Sequence, residues 1–188
     1  MHLNSFCLKK ALWVGLSVLL GVTSINTHAV TLNFSATIVQ GTCSLSLDKS
    51  VLPLGSVSQA SLISGTLVNL QPFTLTADNC NGATGGSLQP VISVVGAGSL
   101  QDGKWLFRSS DSDVGGAGVM LVQSATQPIY ASTEVKSGDY FPLAAVGQAP
   151  VNKVLPFYAG VSCGGSTGCA TLKPGQLTAN VNFVFAYR

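Results

Sequence analysis

The last fourteen residues, Gly175-Gln-Leu-Thr-Ala-Asn-Val-Asn-Phe-Val-Phe-Ala-Tyr-Arg188, contain the pattern that decides the fold. Every second side chain from position 177 onward is apolar, and most of the intervening side chains are polar. Alternation of this kind, rich in aromatic and β-branched residues, is typical of a half-buried β-strand. Because a chain that stops on such a strand has no later segment to pair with it, we expect its free edge to accept another polypeptide. The apolar face consists of Leu177, Ala179, Val181, Phe183, Phe185 and Tyr187.

The first 29 residues have the features of a secretory signal peptide. Lys9 and Lys10 precede an apolar run at residues 11–22, and the small residues Thr27 and Ala29 end the segment. The apolar run is shorter than the roughly 20 residues that a membrane-spanning helix requires. We therefore predict a signal peptide at residues 1–29 and a single domain at residues 30–188.

The composition argues against several functional classes. The chain has nine basic and seven acidic side chains, and two of the basic ones lie in the signal peptide, so the exported chain is close to neutral. A neutral surface without basic clusters argues against binding to nucleic acid or anionic membranes. Residues 164–168 match the Gly-x-Ser-x-Gly motif of serine hydrolases, which requires a histidine as general base. Both histidines of the chain lie in the signal peptide, so the exported chain has no histidine to serve as that base. We interpret this motif as a glycine-rich loop tip and predict no enzymatic activity, no cofactor and no metal site.

Residues 30–39 form a second alternating segment, at the start of the exported chain. Between the two alternating segments, short apolar runs are separated by turns rich in glycine, serine and aspartate, and no stretch has sustained helical periodicity. This pattern predicts an all-β sandwich. The predicted strands are residues 44–47, 70–80, 89–95, 105–108, 118–122, 140–146, 155–162 and the final strand. The apolar face of residues 30–39 consists of Val30, Leu32, Phe34, Ala36 and Ile38.

Four cysteines remain after export, and an even number in an oxidising compartment indicates two disulfides. We predict that Cys43 pairs with Cys80 across two strands, and that Cys163 pairs with Cys169. The second pair would close a hairpin tip between residues 155–162 and the final strand. In the loop-entropy model these rings stabilise the fold by roughly 4 and 2.4 kcal/mol.

Together these features resemble the pilin subunits of chaperone–usher fimbriae, particularly the type 1-like minor pilins. The N-terminal alternating segment has Phe34 nine residues before Cys43, and Pro-Phe-x-Leu-x-x-x-x-Cys, ending at Cys80, resembles the family's second-cysteine strand. The Gly-Val-Met-Leu-Val run at residues 118–122 is also similar to a family segment. Glycine at the fourteenth position from the C-terminus and a penultimate tyrosine are the most specific features, here Gly175 and Tyr187.

The resemblance implies an incomplete immunoglobulin-like β-sandwich that lacks its seventh strand and is completed by a donor strand. It implies that Gly175 and the apolar face of the last strand form the groove for this donor, and that the Arg188 carboxylate anchors the chaperone. Residues 30–39 would be the donor strand offered to a neighbour. The implied partners are a periplasmic fimbrial chaperone, an outer-membrane usher and neighbouring pilin subunits. The implied location is the surface fimbrium of a Gram-negative bacterium, reached through the periplasm.

The predicted function is a structural fimbrial subunit that polymerises by donor-strand exchange and supports cell adhesion. If cleavage follows Ala29, only four residues precede Phe34, which favours a minor or adaptor subunit over a rod pilin; cleavage after Ser24 would weaken this inference. The second disulfide departs from the common one-disulfide pattern of the family. The alternative is a single-domain adhesin for a host glycan or matrix protein, with residues 105–107 as the place to look for ligand contacts. The sequence identifies no host receptor.

Overall fold

A computed structural model of the protein describes residues 35–36 and 40–188. The predicted signal peptide lies outside the described residues, as do four of the five predicted donor-face residues; the fifth, Ala36, is exposed. Within the described part of the chain, no helix is long and apolar enough to cross a membrane. The strands are β1 (Gly41–Leu47), β2 (Val68–Gly82), β3 (Pro90–Gly96), β4 (Gly98–Gln101), β5 (Lys104–Phe107), β6 (Gly118–Gln123), β7 (Tyr140–Pro142), β8 (Lys153–Ser162) and β9 (Val181–Tyr187). The helices are a 3₁₀ turn (Gln59–Ser61) and α1 (Ser166–Ala170).

The strands form two sheets in which all neighbours are antiparallel. The larger sheet has the order β1, β2, β8, β6, β5, β4, and the smaller sheet has the order β7, β3, β9. Inward-facing side chains of the two sheets meet in one core cluster, in which Leu75 of β2 and Ile92 of β3 are buried. This arrangement confirms the predicted all-β sandwich with little helix.

An aromatic cluster ties β9 to the centre of the core. The Phe157 ring of β8 stacks on Phe73 of β2 at a centroid distance of 5.4 Å, and Phe141 approaches it edge-on at 5.3 Å. Phe183 of β9 lies 5.4 Å from Phe157 and 6.3 Å from Phe73. The smaller sheet is therefore fixed against the larger one through the side chains of its edge strand.

The final strand is shorter than predicted. β9 begins at Val181, whereas the alternation predicts a start near residue 177. The Gln176 N–H donates to Asp113 Oδ1 at 2.7 Å, and the Thr178 N–H donates to Ser112 Oγ at 2.9 Å. Because polar side chains of the loop after β5 accept these hydrogen bonds, residues 176–178 follow that loop and do not extend the ladder with β3.

The predicted hairpin between residues 155–162 and the final strand is wrong. β8 lies between β2 and β6 in the larger sheet, whereas β9 pairs with β3 in the smaller sheet. The Cys163–Cys169 disulfide consequently joins the end of β8 to α1 and closes a loop where the chain leaves the larger sheet. The other disulfide, Cys43–Cys80, joins β1 to its neighbour β2.

Residues 164–168 also differ from the predicted loop tip. After the end of β8, Gly164 has a positive φ of 75°, and α1 begins at Ser166. A strand followed by a helix is part of the context that the hydrolase motif requires. The described residues nevertheless contain no histidine to act as a base.

β4 has no counterpart among the predicted strands. It pairs with β5 through a tight turn in which Asp102 and Gly103 both have positive φ, 49° and 83°. An Asp-Gly pair is among the strongest short-range signals for a two-residue hairpin turn. The sequence therefore contained the information needed to predict this strand.

Candidate donor-strand groove

β9 pairs with another strand on only one of its two sides within residues 40–188. Gln89 and Arg188 exchange two backbone hydrogen bonds, which fixes the register of the antiparallel ladder with β3. In such a ladder alternate residues point their N–H and C=O groups to opposite sides. The backbone groups of the even-numbered residues of β9 therefore face β3, and those of the odd-numbered residues face the open side. These odd-numbered residues are Val181, Phe183, Phe185 and Tyr187, whose side chains are also the more buried ones.

An apolar groove of about 1290 Å³ runs beside this open edge. One wall is the segment from Leu172 to Phe183, and the other wall is the irregular segment from Leu47 to Val57. The floor is the inner face of the larger sheet. It consists of Phe73 from β2, Val119 and Leu121 from β6, and Ala159 and Val161 from β8.

The groove is closed at the Tyr187 end, where β1 approaches β9. The Tyr187 hydroxyl lies so close to Gly41 and Gly82 that a Cβ at either glycine would clash with it. This hydroxyl is buried and has no hydrogen-bond partner among the described residues. The Phe185 ring packs edge-on against Tyr187 at 5.4 Å, and neither residue lines the groove.

The groove lining extends in the opposite direction to a second apolar cluster. Val181 and Phe183 pack against the main core, whereas Leu177 packs against a cluster that contains Val161 and Cys163. The stretch from residue 177 to residue 183 spans about 20 Å when extended. That length accommodates three or four side chains from one face of an entering strand, at roughly 6.7 Å per side chain.

The structure distributes the predicted groove residues over three environments. Phe185 and Tyr187 lie at the closed end, and Arg188 is exposed, with its guanidinium 5.2 Å from the centroid of the Tyr140 ring. The other five line the groove: Gly175, Leu177, Ala179, Val181 and Phe183.

The opposite wall of the groove was missed in the sequence. Leu52, Leu54 and Val57 are half-buried there, in an irregular segment that also contains Pro53 and Gly55. Their apolar spacing was the available signal. It did not show which side of the molecule this segment covers, because no strand pairing fixes its position.

The groove carries no carboxylate or histidine among its lining residues, and its charged side chains are Lys49 and Lys173. Within the described residues, no cluster of side chains could hold a metal ion. The arrangement can bind a polypeptide through a strand edge and apolar pockets.

The ion-paired cluster of the described residues lies outside the groove lining. The buried Glu134 carboxylate accepts a hydrogen bond from Lys104 Nζ at 3.0 Å, and Lys136 Nζ lies 3.4 Å away. Burial acts to raise the pKa of Glu134, but hydrogen bonds from backbone N–H groups and from Lys104 together bring that pKa below its ordinary value. The pair holds the β5 strand against the loop that precedes β7.

A family model described as "Fimbrial protein" matches residues 32–188. The chain therefore belongs to the fimbrial protein family, and it is a structural subunit and not an enzyme. Family membership and the two antiparallel sheets also confirm the predicted immunoglobulin-like fold class.

Solved structures of pilus proteins are similar to this chain. One is the P pilus rod subunit PapA, with 20% identity and a TM-score of 0.48 over 84% of this chain and 99% of that chain. Another comes from a chaperone–usher pilus structure described in terms of rod uncoiling, with 20% identity and a TM-score of 0.46 over 88% of this chain and 99% of that chain. A comparison with curated proteins gave no significant match.

Proposed function

We propose that the protein is a subunit of a chaperone–usher fimbria and polymerises by donor-strand exchange. The observation that carries this proposal is the open edge of β9 beside an apolar groove. In the proposed assembly a strand from a neighbouring subunit pairs with β9 and covers the floor of the groove. Residues 30–39 of this chain serve as the corresponding strand for the next subunit.

The free energy available from the groove supports a dependence on a donor. Burial of three or four apolar side chains contributes about 1.5–3 kcal/mol each, or roughly 5–12 kcal/mol in total. Whole domains are stable by only about 5–15 kcal/mol. A subunit without a strand in this groove is therefore marginally stable and exposes an unpaired strand edge to which other chains can pair.

This dependence explains why the proposed partners include a periplasmic chaperone and an outer-membrane usher. The chaperone covers the edge during transit through the periplasm, and the usher brings the next subunit to it. The exposed C-terminal residue Arg188 is accessible to a chaperone that binds its carboxylate. If cleavage follows Ala29, the short N-terminal extension supports a minor or adaptor position in a fimbrium that mediates adhesion.

The experiment compares three exported proteins by thermal melting and size-exclusion chromatography. The first is residues 40–188, the second adds a flexible linker and a copy of residues 30–39 after Arg188, and the third carries Leu32→Asn, Phe34→Asn and Ile38→Asn in that copy. We expect only the second protein to be monomeric and to melt cooperatively. Equal stability of the first and second proteins would contradict the proposal.

No observation in the described residues favours the adhesin alternative. Phe107 is completely buried, and the half-buried Trp105 packs edge-on against it with a centroid distance of 6.0 Å. The two residues therefore belong to the core region and do not form an exposed aromatic patch.

A further inference from the structure

The second disulfide lies beside the Leu177 end of the groove, which is the end opposite the closed end at Tyr187. Cys163 follows β8 directly, and its side chain is completely buried in a cluster with Leu62, Val114, Ala117 and Val161. Its partner Cys169 lies in α1, only six positions later. The cross-link therefore fixes α1 to the end of the larger sheet.

The segment after α1 forms the wall of this end of the groove. Leu172 and Leu177 are half-buried, line the groove and pack against the cluster that contains Cys163. Residues 171–180 contain no strand, so no ladder of backbone hydrogen bonds holds this wall in place. Its position depends on a few hydrogen bonds to the loop at residues 109–114 and on α1, to which it is directly connected.

Helix α1 and the residue after it also pack against the loop that precedes β6, at the same end of the groove. Gly116 packs so closely against the backbone of Gly168 that a Cβ at Gly116 would clash with it. A Cβ at Gly115 would likewise clash with the backbone of Thr171. Ala117, the next residue, lines the groove. A shift of α1 would therefore displace both the wall that carries Leu172 and Leu177 and the groove residue Ala117. The N–H of Gly168 also donates to Asp102 Oδ2 at 3.0 Å, and this partly buried hydrogen bond adds to the covalent link in holding α1.

We propose that the Cys163–Cys169 disulfide positions the Leu172 and Leu177 side chains so that this end of the groove captures the last apolar side chain of an incoming donor strand. The inference rests on the proposed function. The occupant is Ile38 from residues 30–39 of a second copy. In the antiparallel register that places Val30 opposite Phe185, Ile38 lies opposite Leu177.

The test is a double-mutant cycle on the full chain extended after Arg188 by a flexible linker and a copy of residues 30–39. A strand attached there turns back along β9, so its last residues reach the Leu177 end. Ile38→Ala in the appended copy is combined with Cys163→Ala and Cys169→Ala, and the unfolding equilibrium constant is measured by urea denaturation. A cycle reports whether two sites act together and is insensitive to a general loss of stability.

With the disulfide intact, we expect Ile38→Ala in the appended copy to raise the unfolding constant roughly fiftyfold, corresponding to three buried methylene groups. Without the disulfide, we expect a change below about threefold, because the pocket is no longer formed. The positional control is Leu32→Ala in the appended copy, near the closed end, which should have the same effect in both backgrounds. Equal effects of Ile38→Ala in both backgrounds would overturn the inference.

A second variant, Cys169→Ala alone, retains the buried volume of Cys163 and removes only the cross-link. It should also abolish the effect of Ile38→Ala in the appended copy. If neither cysteine variant folds, the disulfide serves the whole domain and the inference is overturned. If the appended strand does not stabilise the chain at all, the proposed function fails; if it stabilises the chain and the cycle is additive, only the role of the disulfide fails.

Discussion

Replacement of Phe183 by alanine is expected to destabilise the donor-complemented domain by about 3 kcal/mol. Phe183 belongs to both the core and the groove, since its ring lies 5.4 Å from Phe157 and 6.3 Å from Phe73 and also lines the groove. Truncation of a buried phenylalanine to alanine typically costs 3–5 kcal/mol. We take the lower end of this range, about 3 kcal/mol, because the ring borders the groove, where the donor strand can relax into part of the space that alanine leaves.

The measurement is urea denaturation of residues 40–188 with the appended copy of residues 30–39, followed by tryptophan fluorescence. The matched control is Val184→Ala, the next residue of β9, whose side chain is 47% exposed on the outer face. This control should change the free energy of unfolding by less than about 0.5 kcal/mol, as is usual for surface substitutions. A cost below about 1 kcal/mol for Phe183→Ala, or one equal to that of the control, would show that the inner face of β9 does not support the core.

Three further changes test other parts of the fold, each by urea denaturation of the same complemented protein. Replacement of Cys43 and Cys80 by alanine should lower the free energy of unfolding by about 4 kcal/mol, because the unfolded chain gains the freedom of the opened loop; retention of full stability would contradict this. Gly41→Ala should cost about 1–3 kcal/mol, since its Cβ would clash with the Tyr187 hydroxyl, whereas alanine at the unhindered Gly103 should give a smaller loss through its positive φ alone. Glu134→Gln should cost about 1–3 kcal/mol by leaving the lysine ammonium groups without a carboxylate. Because the pKa of Glu134 is lower in the folded protein than its ordinary 4.5, its contribution is present above that pH and is lost as the pH falls through the folded pKa; an acid-induced stability loss of equal size in the Gln variant would contradict this assignment.

The features that the sequence predicted correctly are those with strict local periodicity. The alternation ending at Tyr187 predicted an inward apolar face, and the structure buries the corresponding side chains of β9 more than their neighbours. Turn residues between short apolar runs predicted a sandwich with little helix, which the two sheets confirm. Side chains alternate between the two faces of any strand, whichever strands pair with it, so this alternation can be recognised within the segment itself.

The features that the sequence did not predict depend on contacts between distant segments. The start of β9 at Val181 follows from hydrogen bonds to Ser112 and Asp113, which lie more than 60 positions earlier in the chain. The closed end of the groove depends on Gly41 lying against Tyr187, and no pattern within either segment indicates that approach. The incorrect prediction of a hairpin between β8 and β9 has the same cause. Packing of distant segments, and not the loop between the two strands, places β8 in the larger sheet and β9 in the smaller one.

The open edge of β9 has a mechanical consequence for the proposed fibre. A neighbour's strand lying along β9 would be pulled parallel to its own axis when the fibre is stretched. The backbone hydrogen bonds and seated side chains along about 20 Å of strand would then bear the load simultaneously in shear, and would not peel apart one after another. Rupture under tension is governed by the rate of unfolding and not by the equilibrium stability. A joint made of individually weak contacts would therefore resist traction on the cell for long times without any covalent bond between subunits.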